Sequence, residues 1–285
     1  MGAFRSRPNT MTASDSREAS RFPCARWSKP PKKPDVASTE VRVDPAPFDF
    51  PGSGRDAILC LHGLSGTPYE MRSLGEAFAQ AGYRAFGPAL PGHNETPQAL
   101  ARVKYPEWLG AARDAVERLR KQHDRVFVAG LSMGGLVALA LSAEAAVDGA
   151  VVVGTPLRLR QPLPLLIPVL KYLLPFPRKA TGSDIRDPAA RARHPSYEVM
   201  PLAAVHQLIH FQNVVRRALG RIETPILVAH GAHDRTADPS DSKEIFDAVR
   251  SERRKHRILE NSAHVVPVDY DGPEFAREAV EFLSA

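Results

Sequence analysis

The chain has 285 residues, of which 43% are hydrophobic and 25% are charged, a composition that suits one large globular domain or two small ones. No stretch approaches the roughly 18 uninterrupted apolar residues of a membrane span, and the first twenty residues lack the apolar segment of a signal peptide. Neither of the two cysteines, Cys24 and Cys60, suggests a disulfide framework. We therefore expect a cytoplasmic protein.

The formal net charge is +6, and two segments concentrate the basic residues. Residues 157–194 contain eight Lys or Arg, and residues 250–257 contain five. Neither segment accompanies a nucleic-acid-binding motif, so we interpret both as solvated faces and expect no nucleic-acid partner.

Residues 1–50 are rich in Ser, Pro and charge without regular periodicity. This composition predicts a disordered tail that orders only around Pro45–Pro51, where it meets the domain. The tail is predicted to precede a single domain at residues 51–285.

From Arg55 onward, short apolar runs alternate with helical patterns. The strand candidates are Ile58–His62, Tyr83–Gly87, Arg125–Ala129, Gly149–Val153, Ile226–Ala229 and His256–Leu259. Several are continuously apolar, as strands buried on both faces should be. The alternation predicts an α/β fold with a mostly parallel sheet and helices on both faces.

Helical patterns separate these strands. They begin at the segment Thr67-Pro68-Tyr69-Glu70, which has the pattern of a capping box with proline at the first helical position. The later ones are 106–121, 136–146, 240–249 and 273–283.

A long insertion at residues 155–220 interrupts the alternation. About 65 residues is too long for a plain loop in a compact domain, so we predict a small cap, or lid. Its first part, residues 163–174, is apolar and broken by prolines. This part either packs on the domain core or walls a pocket that receives an acyl chain.

The segment Gly130-Leu131-Ser132-Met133-Gly134 follows a predicted strand and opens a predicted helix. This is the G-x-S-x-G nucleophile elbow in its strand–turn–helix setting. Side chains at the two glycines would crowd the sharp turn that projects the serine hydroxyl. We predict Ser132 as nucleophile, with the Met133 amide as one oxyanion donor.

A serine nucleophile needs a base, and the base needs a carboxylate to orient it. Among ten histidines, His264 is favoured because it lies in a small polar loop between the last strand and the terminal helix. Asp234 follows a strand end and is preferred to Asp238 and Asp241, which are expected to begin the next helix. The chain order Ser, Asp, His is typical of α/β-hydrolases.

The second oxyanion donor is expected after the first core strand. His62-Gly63-Leu64-Ser65-Gly66 occupies that position, and the Leu64 amide is the candidate. His62, His230 and His233 lie at strand ends and are expected to hold loops in place.

These residues make the chain resemble the bacterial carboxylesterase and monoacylglycerol lipase family of α/β-hydrolases over residues 55–285. The matching segments are LCLHGLSGTPYEMRSLGEAFAQAGY, PALPGHN, VAGLSMGG, KYLLP, GSDIRDP, VAHGAHDRTADP and NSAHVVPVDYD. The resemblance implies the triad Ser132, Asp234 and His264, with oxyanion amides from Leu64 and Met133. Ala263 and Asn94 depart from the family pattern, which commonly has glycine at both positions.

The resulting hypothesis is hydrolysis of a small-molecule ester or monoacylglycerol of short to medium acyl length, without a metal or organic cofactor. Thioesterase or acyltransferase activity would use the same triad. A non-catalytic ligand-binding homologue is the alternative from another class. A peripheral contact with a lipid surface is compatible with this family, and the sequence leaves the natural ester and oligomeric state open.

Overall fold

The computed structural model describes residues 43–159, 162–180 and 182–285. Its strands are Phe48–Phe50 (β1), Ala57–Leu61 (β2), Arg84–Gly87 (β3), Val126–Leu131 (β4), Ala150–Val153 (β5), Ile226–Gly231 (β6) and Arg254–Leu259 (β7). They form one sheet in the order β1-β3-β2-β4-β5-β6-β7. Only β1 runs antiparallel to its neighbour. Residues 1–42, most of the predicted tail, lie outside the described residues.

Nine α-helices accompany the sheet in the described part of the chain. They are Tyr69–Gln80 (α1), Pro97–Arg102 (α2), Tyr105–Arg120 (α3), Met133–Ala143 (α4), Leu163–Leu173 (α5), Pro188–Arg193 (α6), Leu202–Ala218 (α7), Ser240–Ala248 (α8) and Gly272–Ser284 (α9). The predicted α/β fold with a mostly parallel sheet is confirmed. Within the same residues, no helix is long and apolar enough to cross a membrane.

Strand β2 shows why its sequence is apolar without alternation. Ala57, Leu59 and Leu61 face a layer that includes α3, α4, α7 and α8. Ile58 and Cys60 face the opposite layer, built with α1 and α9. All five side chains are buried. A central strand covered by helices on both faces has no solvent-facing side to carry polar residues.

The sequence did not predict the edge strand β1. It lies in the stretch around Pro45–Pro51 where the tail was expected to meet the domain, and it pairs with β3. Phe48 is buried against Gly75 and Gly87, where a Cβ atom would collide with its ring. This packing attaches the beginning of the described chain to the sheet.

The expected capping box at α1 is wrong. Among the described residues, no side chain caps the helix, and the hydroxyl of Thr67 has no hydrogen-bond partner. The Glu70 carboxylate instead accepts the Gly63 amide at 2.8 Å and lies 3.0 Å from Nε2 of His194. Bonds between an ionised carboxylate and such donors are stronger than bonds between neutral groups, and both partners come from other parts of the chain.

Between β5 and β6 lie α5, α6 and α7, inside the range predicted to form a cap. One face of α7 belongs to the domain core through Leu208, Phe211 and Val215. Its first half packs on Ile167 of α5. Much of α5 is exposed, and Leu165 retains 75% of its accessible surface. The apolar run of residues 163–174 is therefore covered only in part.

Candidate active site

The predicted functional residues follow the carboxyl ends of parallel strands. Leu64 follows β2, Ser132 follows β4, Asp234 follows β6 and His264 follows β7. Because these strands are parallel, their carboxyl ends lie at the same edge of the sheet, where ligand sites of open α/β sheets form. Leu64, Ser132 and His264 line one cavity of about 360 Å³ at this edge.

Ser132 lies on a strained turn between β4 and α4. Its φ of 56° and ψ of −116° are rarely adopted by residues other than glycine. A side chain at Gly130 would collide with the backbone of Gly134, and one at Gly134 would collide with the Leu61 carbonyl. The two glycines therefore have the steric role expected of them.

Asp234 is a buried carboxylate with both oxygens engaged. Oδ2 lies 2.7 Å from Nδ1 of His264, and Oδ1 accepts the amides of Thr236 and Ala237, each at 2.8 Å. Nε2 of His230 lies 2.8 Å from Oδ2 without the angle of a good hydrogen bond. Burial raises the pKa of Asp234, but the two histidines outweigh this and hold the pKa well below its usual value.

His264 is buried, and its Nδ1 faces Asp234. Donation from Nδ1 to the carboxylate leaves Nε2 as the atom that can take a proton. Burial lowers the pKa of His264, but the negative charges of Asp234, Asp184 and Glu70 raise it by more. The pKa of His264 therefore lies above its usual 6.5. The pair can therefore stabilise an imidazolium.

The other candidate carboxylates have structural partners. Asp238 accepts the amide and hydroxyl of Ser240 at the start of α8. Asp241 accepts the amides of Leu157 and Arg158. The structure brings Asp234, rather than either of these, to His264.

The loop after β2 is fixed from two sides. Nε2 of His62 accepts the Leu90 amide at 3.1 Å, so Nδ1 is the protonated nitrogen and donates to the Gly63 carbonyl. The Glu70 carboxylate accepts the Gly63 amide. These contacts place Leu64 at the cavity wall, while Met133 opens α4, where the first amides have no acceptor within the helix. The oxyanion role of Leu64 and Met133 stays a prediction.

Asp184 is a site residue that the sequence analysis left without a role. Its Oδ2 accepts the amides of Arg235 at 2.7 Å and Thr236 at 3.1 Å, and also the Thr236 hydroxyl. Its carbonyl oxygen accepts the amides of His264 and Val265. Asp184 therefore joins the loop that carries Asp234 to the loop that carries His264. Its position in GSDIRDP, one of the segments in which the sequence resembles the family, could have identified it.

Asp269 connects the segment after Asp184 to the loop that carries His264. Its carboxylate accepts the amides of Arg186, Asp187 and Ala263, each at 2.8 to 2.9 Å. Ala263, one of the two departures from the family pattern, is thus fixed next to His264. Asn94, the other departure, has a φ of 59°, a conformation that asparagine tolerates better than most residues.

The cavity has two chemically different parts. The apolar part is lined by Leu159, Leu163, Ile167, Met200, Leu202, Val205 and Leu208. The other part, here called the polar cluster, consists of Ser65, Glu70, Lys179, Ser183, His194 and Ser196. Two further residues line the cavity. Gly182 precedes Ser183 of the polar cluster in the chain, and Thr236 belongs to the loop that carries Asp234.

Comparison with known proteins gives consistent results. The model of the serine aminopeptidase (S33) family matches residues 52–271. A thermostable monoacylglycerol lipase of Bacillus sp. (strain H-257) is 31% identical over 84% of this chain and 94% of that protein. A carboxylesterase of Bacillus subtilis (strain 168) is 26% identical over 85% of this chain and 97% of that protein.

Among solved structures, a similar one comes from work on LipS and LipT, two metagenome-derived lipolytic enzymes. It superposes with a TM-score of 0.79 and 28% identity, covering 84% of this chain and 97% of that chain. Together with the topology of the sheet, this likeness confirms the α/β-hydrolase fold.

Replacement of Asp234 tests the assignment of the acid. Asp234→Asn should lower kcat by about a thousandfold or more, because the amide cannot stabilise the imidazolium and favours the wrong tautomer of His264. Asp238→Asn is the matched control and should have little effect. Steady-state kinetics of both folded variants on one ester provides the measurement, and a larger loss in Asp238→Asn would show that the acid is misassigned.

The role of Asp184 predicts a change in pH dependence. With His264 as the predicted base, the active form carries a neutral imidazole, so kcat/KM should fall as the pH drops through the raised pKa of this residue. Asp184→Asn removes one charge that raises this pKa and should move the acidic limb of the profile to lower pH. Asp187 caps α6 in the same segment, and the control variant Asp187→Asn should leave the acidic limb of the profile unchanged. An unshifted limb in Asp184→Asn would contradict the electrostatic role.

Proposed function

The chain belongs to the serine aminopeptidase (S33) family, and within it we propose that this protein hydrolyses carboxylic esters through an acyl-enzyme intermediate. The observation that supports this proposal is the buried Asp234–His264 pair, which shares a cavity edge with Ser132 on its elbow. A hydroxyl is a weak nucleophile near neutral pH, and such a pair supplies the base it needs.

In the proposed reaction, Oγ of Ser132 attacks the ester carbonyl while Nε2 of His264 takes its proton. The amides of Leu64 and Met133 hold the oxyanion of the tetrahedral intermediate. His264 returns the proton to the departing alcohol, which leaves the acyl group on Ser132. Water then attacks the acyl-enzyme with the same base, and the acid is released.

Ester hydrolysis fits the cavity better than removal of an N-terminal amino acid. An aminopeptidase must hold the α-ammonium group of its substrate, for which a carboxylate with free acceptor capacity is suited. Glu70 and Asp184, the acidic residues of the cavity wall, are engaged by the partners described above. The relatives are also named as a monoacylglycerol lipase and a carboxylesterase.

Labelling by a fluorophosphonate tests the nucleophile directly. Folded protein should be labelled at Ser132, and Ser132→Ala should not be labelled. Failure to label the folded wild type would favour a non-catalytic binding protein. Assays with p-nitrophenyl esters, monoacylglycerols and acyl-CoA, run side by side, separate an esterase from a thioesterase or acyltransferase.

The acyl chain is proposed to lie in the apolar part of the cavity, with residues 155–220 acting as a cap. Ile167 from α5 meets Leu202 and Val205 from α7, which gives a wall of aliphatic side chains next to Leu64. A wall of this type binds a hydrocarbon chain by removing it from water. Esters of short to medium acyl length, including monoacylglycerols, are the proposed substrates.

This placement predicts the dependence on acyl length. Each buried methylene should add about 0.8 kcal/mol, or roughly a fourfold gain in kcat/KM, until the apolar part is filled. The specificity constant should therefore rise through short and medium chains and then fall. An acyl series with one alcohol group measures it, and a profile that is flat or falls from acetate onward would contradict the acyl site.

The exposed face of α5 supports the proposed peripheral contact with a lipid surface. The large apolar side chains of this face are Leu165, Val169, Tyr172 and Leu173. Lys171 and Arg178 add positive charge in the same segment, as is common for helices that lie on anionic membranes. The cytoplasmic location expected from the sequence stays a prediction.

Vesicle binding tests the contact. The double variant Leu165→Ser, Leu173→Ser should bind less to vesicles of phosphatidylcholine with an anionic lipid, because it removes two exposed apolar side chains. Hydrolysis of a water-soluble short-chain ester should be retained, since neither residue lines the cavity. Val214→Ser, at an exposed position of α7, is the control. Equal sedimentation of all three proteins with vesicles would contradict the contact.

A further inference from the structure

The ammonium group of Lys179, in the polar cluster, is held by two serine hydroxyls. Nζ of Lys179 donates to Oγ of Ser65 at 2.8 Å and to Oγ of Ser196 at 3.1 Å. No ion pair joins this ammonium to a carboxylate of the described residues. The side chain is half-buried at the cavity wall, and burial lowers the pKa of Lys179 while the charge of Glu70 opposes this shift.

The nearest acidic residue of the cluster already has its own partners. Glu70 accepts from the Gly63 amide and faces His194, whose other ring nitrogen lies 2.7 Å from Oγ of Ser183. Lys179 has three N–H donors, and two serine hydroxyls account for two of them. A hydroxyl that accepts from an ammonium keeps its own proton for donation to another group.

Further cations lie near Lys179. A second cavity of about 430 Å³ shares Lys179, Gly182, Ser183, His194 and Ser196 with the first. Its wall adds Arg178 and Arg191, together with Glu198. No ion pair joins either arginine to another residue in the described ranges. The two walls thus carry three cations, Lys179, Arg178 and Arg191, and three carboxylates. Two of these carboxylates, Glu70 and Asp184, already accept hydrogen bonds from the partners described above.

The position of the cluster shows which part of a substrate would reach it. Ser65 directly follows Leu64, the proposed oxyanion donor, so the cluster begins next to the ester carbonyl. The apolar part of the cavity accounts for the acyl chain. The remaining part of an ester is its alcohol, which would then extend toward Lys179.

We propose that Lys179, with Ser65 and Ser196, forms a subsite for an anionic group, a carboxylate or a phosphate, on the alcohol part of the substrate. This inference rests on the proposed ester hydrolysis. An anion at this position would accept the third N–H of Lys179 and the hydroxyl proton of Ser65. It would also accept the Ser196 proton once that hydroxyl turns from the Tyr197 carbonyl, which it contacts at 3.5 Å. Charge-assisted hydrogen bonds in a partly desolvated site are stronger than those between neutral groups, so the subsite would favour anionic over neutral alcohols.

Three esters with one acyl chain test the subsite. They are 1-decanoylglycerol, its 3-phosphate, and the decanoyl ester of glyceric acid, in which a carboxylate replaces the free CH2OH group. The wild type should show kcat/KM about tenfold or more higher for at least one anionic ester, mainly through KM. The phosphate and carboxylate arms identify the anion.

Substitutions at Lys179 attribute the preference. Lys179→Gln should lower the anionic-to-neutral ratio by about tenfold, and Lys179→Arg, which keeps the charge, should retain part of it. Lys121→Gln, at an exposed lysine that follows α3 and lies outside the cavity wall, is the matched control and should leave the ratio unchanged. A wild type that prefers the neutral ester, or a ratio unaffected by Lys179→Gln, would overturn the subsite.

Binding without turnover separates this inference from the proposed function. Calorimetry with Ser132→Ala and with Ser132→Ala, Lys179→Gln gives the affinity for the same three esters. If the wild type hydrolyses none of them but binding still depends on the anion and on Lys179, ester hydrolysis fails and the subsite stands. If the wild type hydrolyses all three and binding shows no preference for the anion, the subsite alone fails.

Discussion

The contact between His264 and Asp234 is the interaction on which the candidate site depends. It joins residues that are 30 positions apart and follow different strands, β7 and β6. The contact forms only if both loops are held at a fixed distance, because a hydrogen bond weakens steeply when its distance or angle changes. Asp184 and Asp269 meet this requirement by accepting backbone amides from the surrounding loops. The segment between β5 and β6 is therefore part of the framework that holds the candidate site, as well as a wall of the cavity.

This arrangement explains why the site contains several buried carboxylates. An ionised group in a low-dielectric site is costly unless hydrogen bonds or opposite charges compensate it. Asp234 has two backbone amides and two histidines, and Glu70 has an amide and a histidine. Each carboxylate thus fixes the loop that compensates it. Their combined negative charge raises the pKa of His264, which favours the imidazolium formed during the proposed reaction.

The sequence was sufficient where the signal was local. The elbow at Ser132 could be recognised because its two glycines have a steric requirement within five residues, and buried strands such as β2 because they are continuously apolar. Glu70 was misinterpreted since it matches a local capping pattern, while its real partner His194 is 124 positions away. Asp184 and Lys179 were missed for the same reason. Their partners lie 51 and 114 positions away, and no local sequence pattern indicates a contact between residues so far apart in the chain.

The same long-range contacts connect substrate binding to the proposed chemistry. Ser65 contacts Lys179 through its hydroxyl and is bonded through the chain to Leu64. Glu70 holds the preceding residue, Gly63, and faces His194 on the other side of the cavity. A group bound in the polar cluster would therefore contact the side chains that position the loop of Leu64, the proposed oxyanion donor. Interactions made by a remote part of a substrate accelerate a reaction only when they are expressed in the transition state. Here the shortest route for such an effect runs from Lys179 through Ser65 to the amide of Leu64.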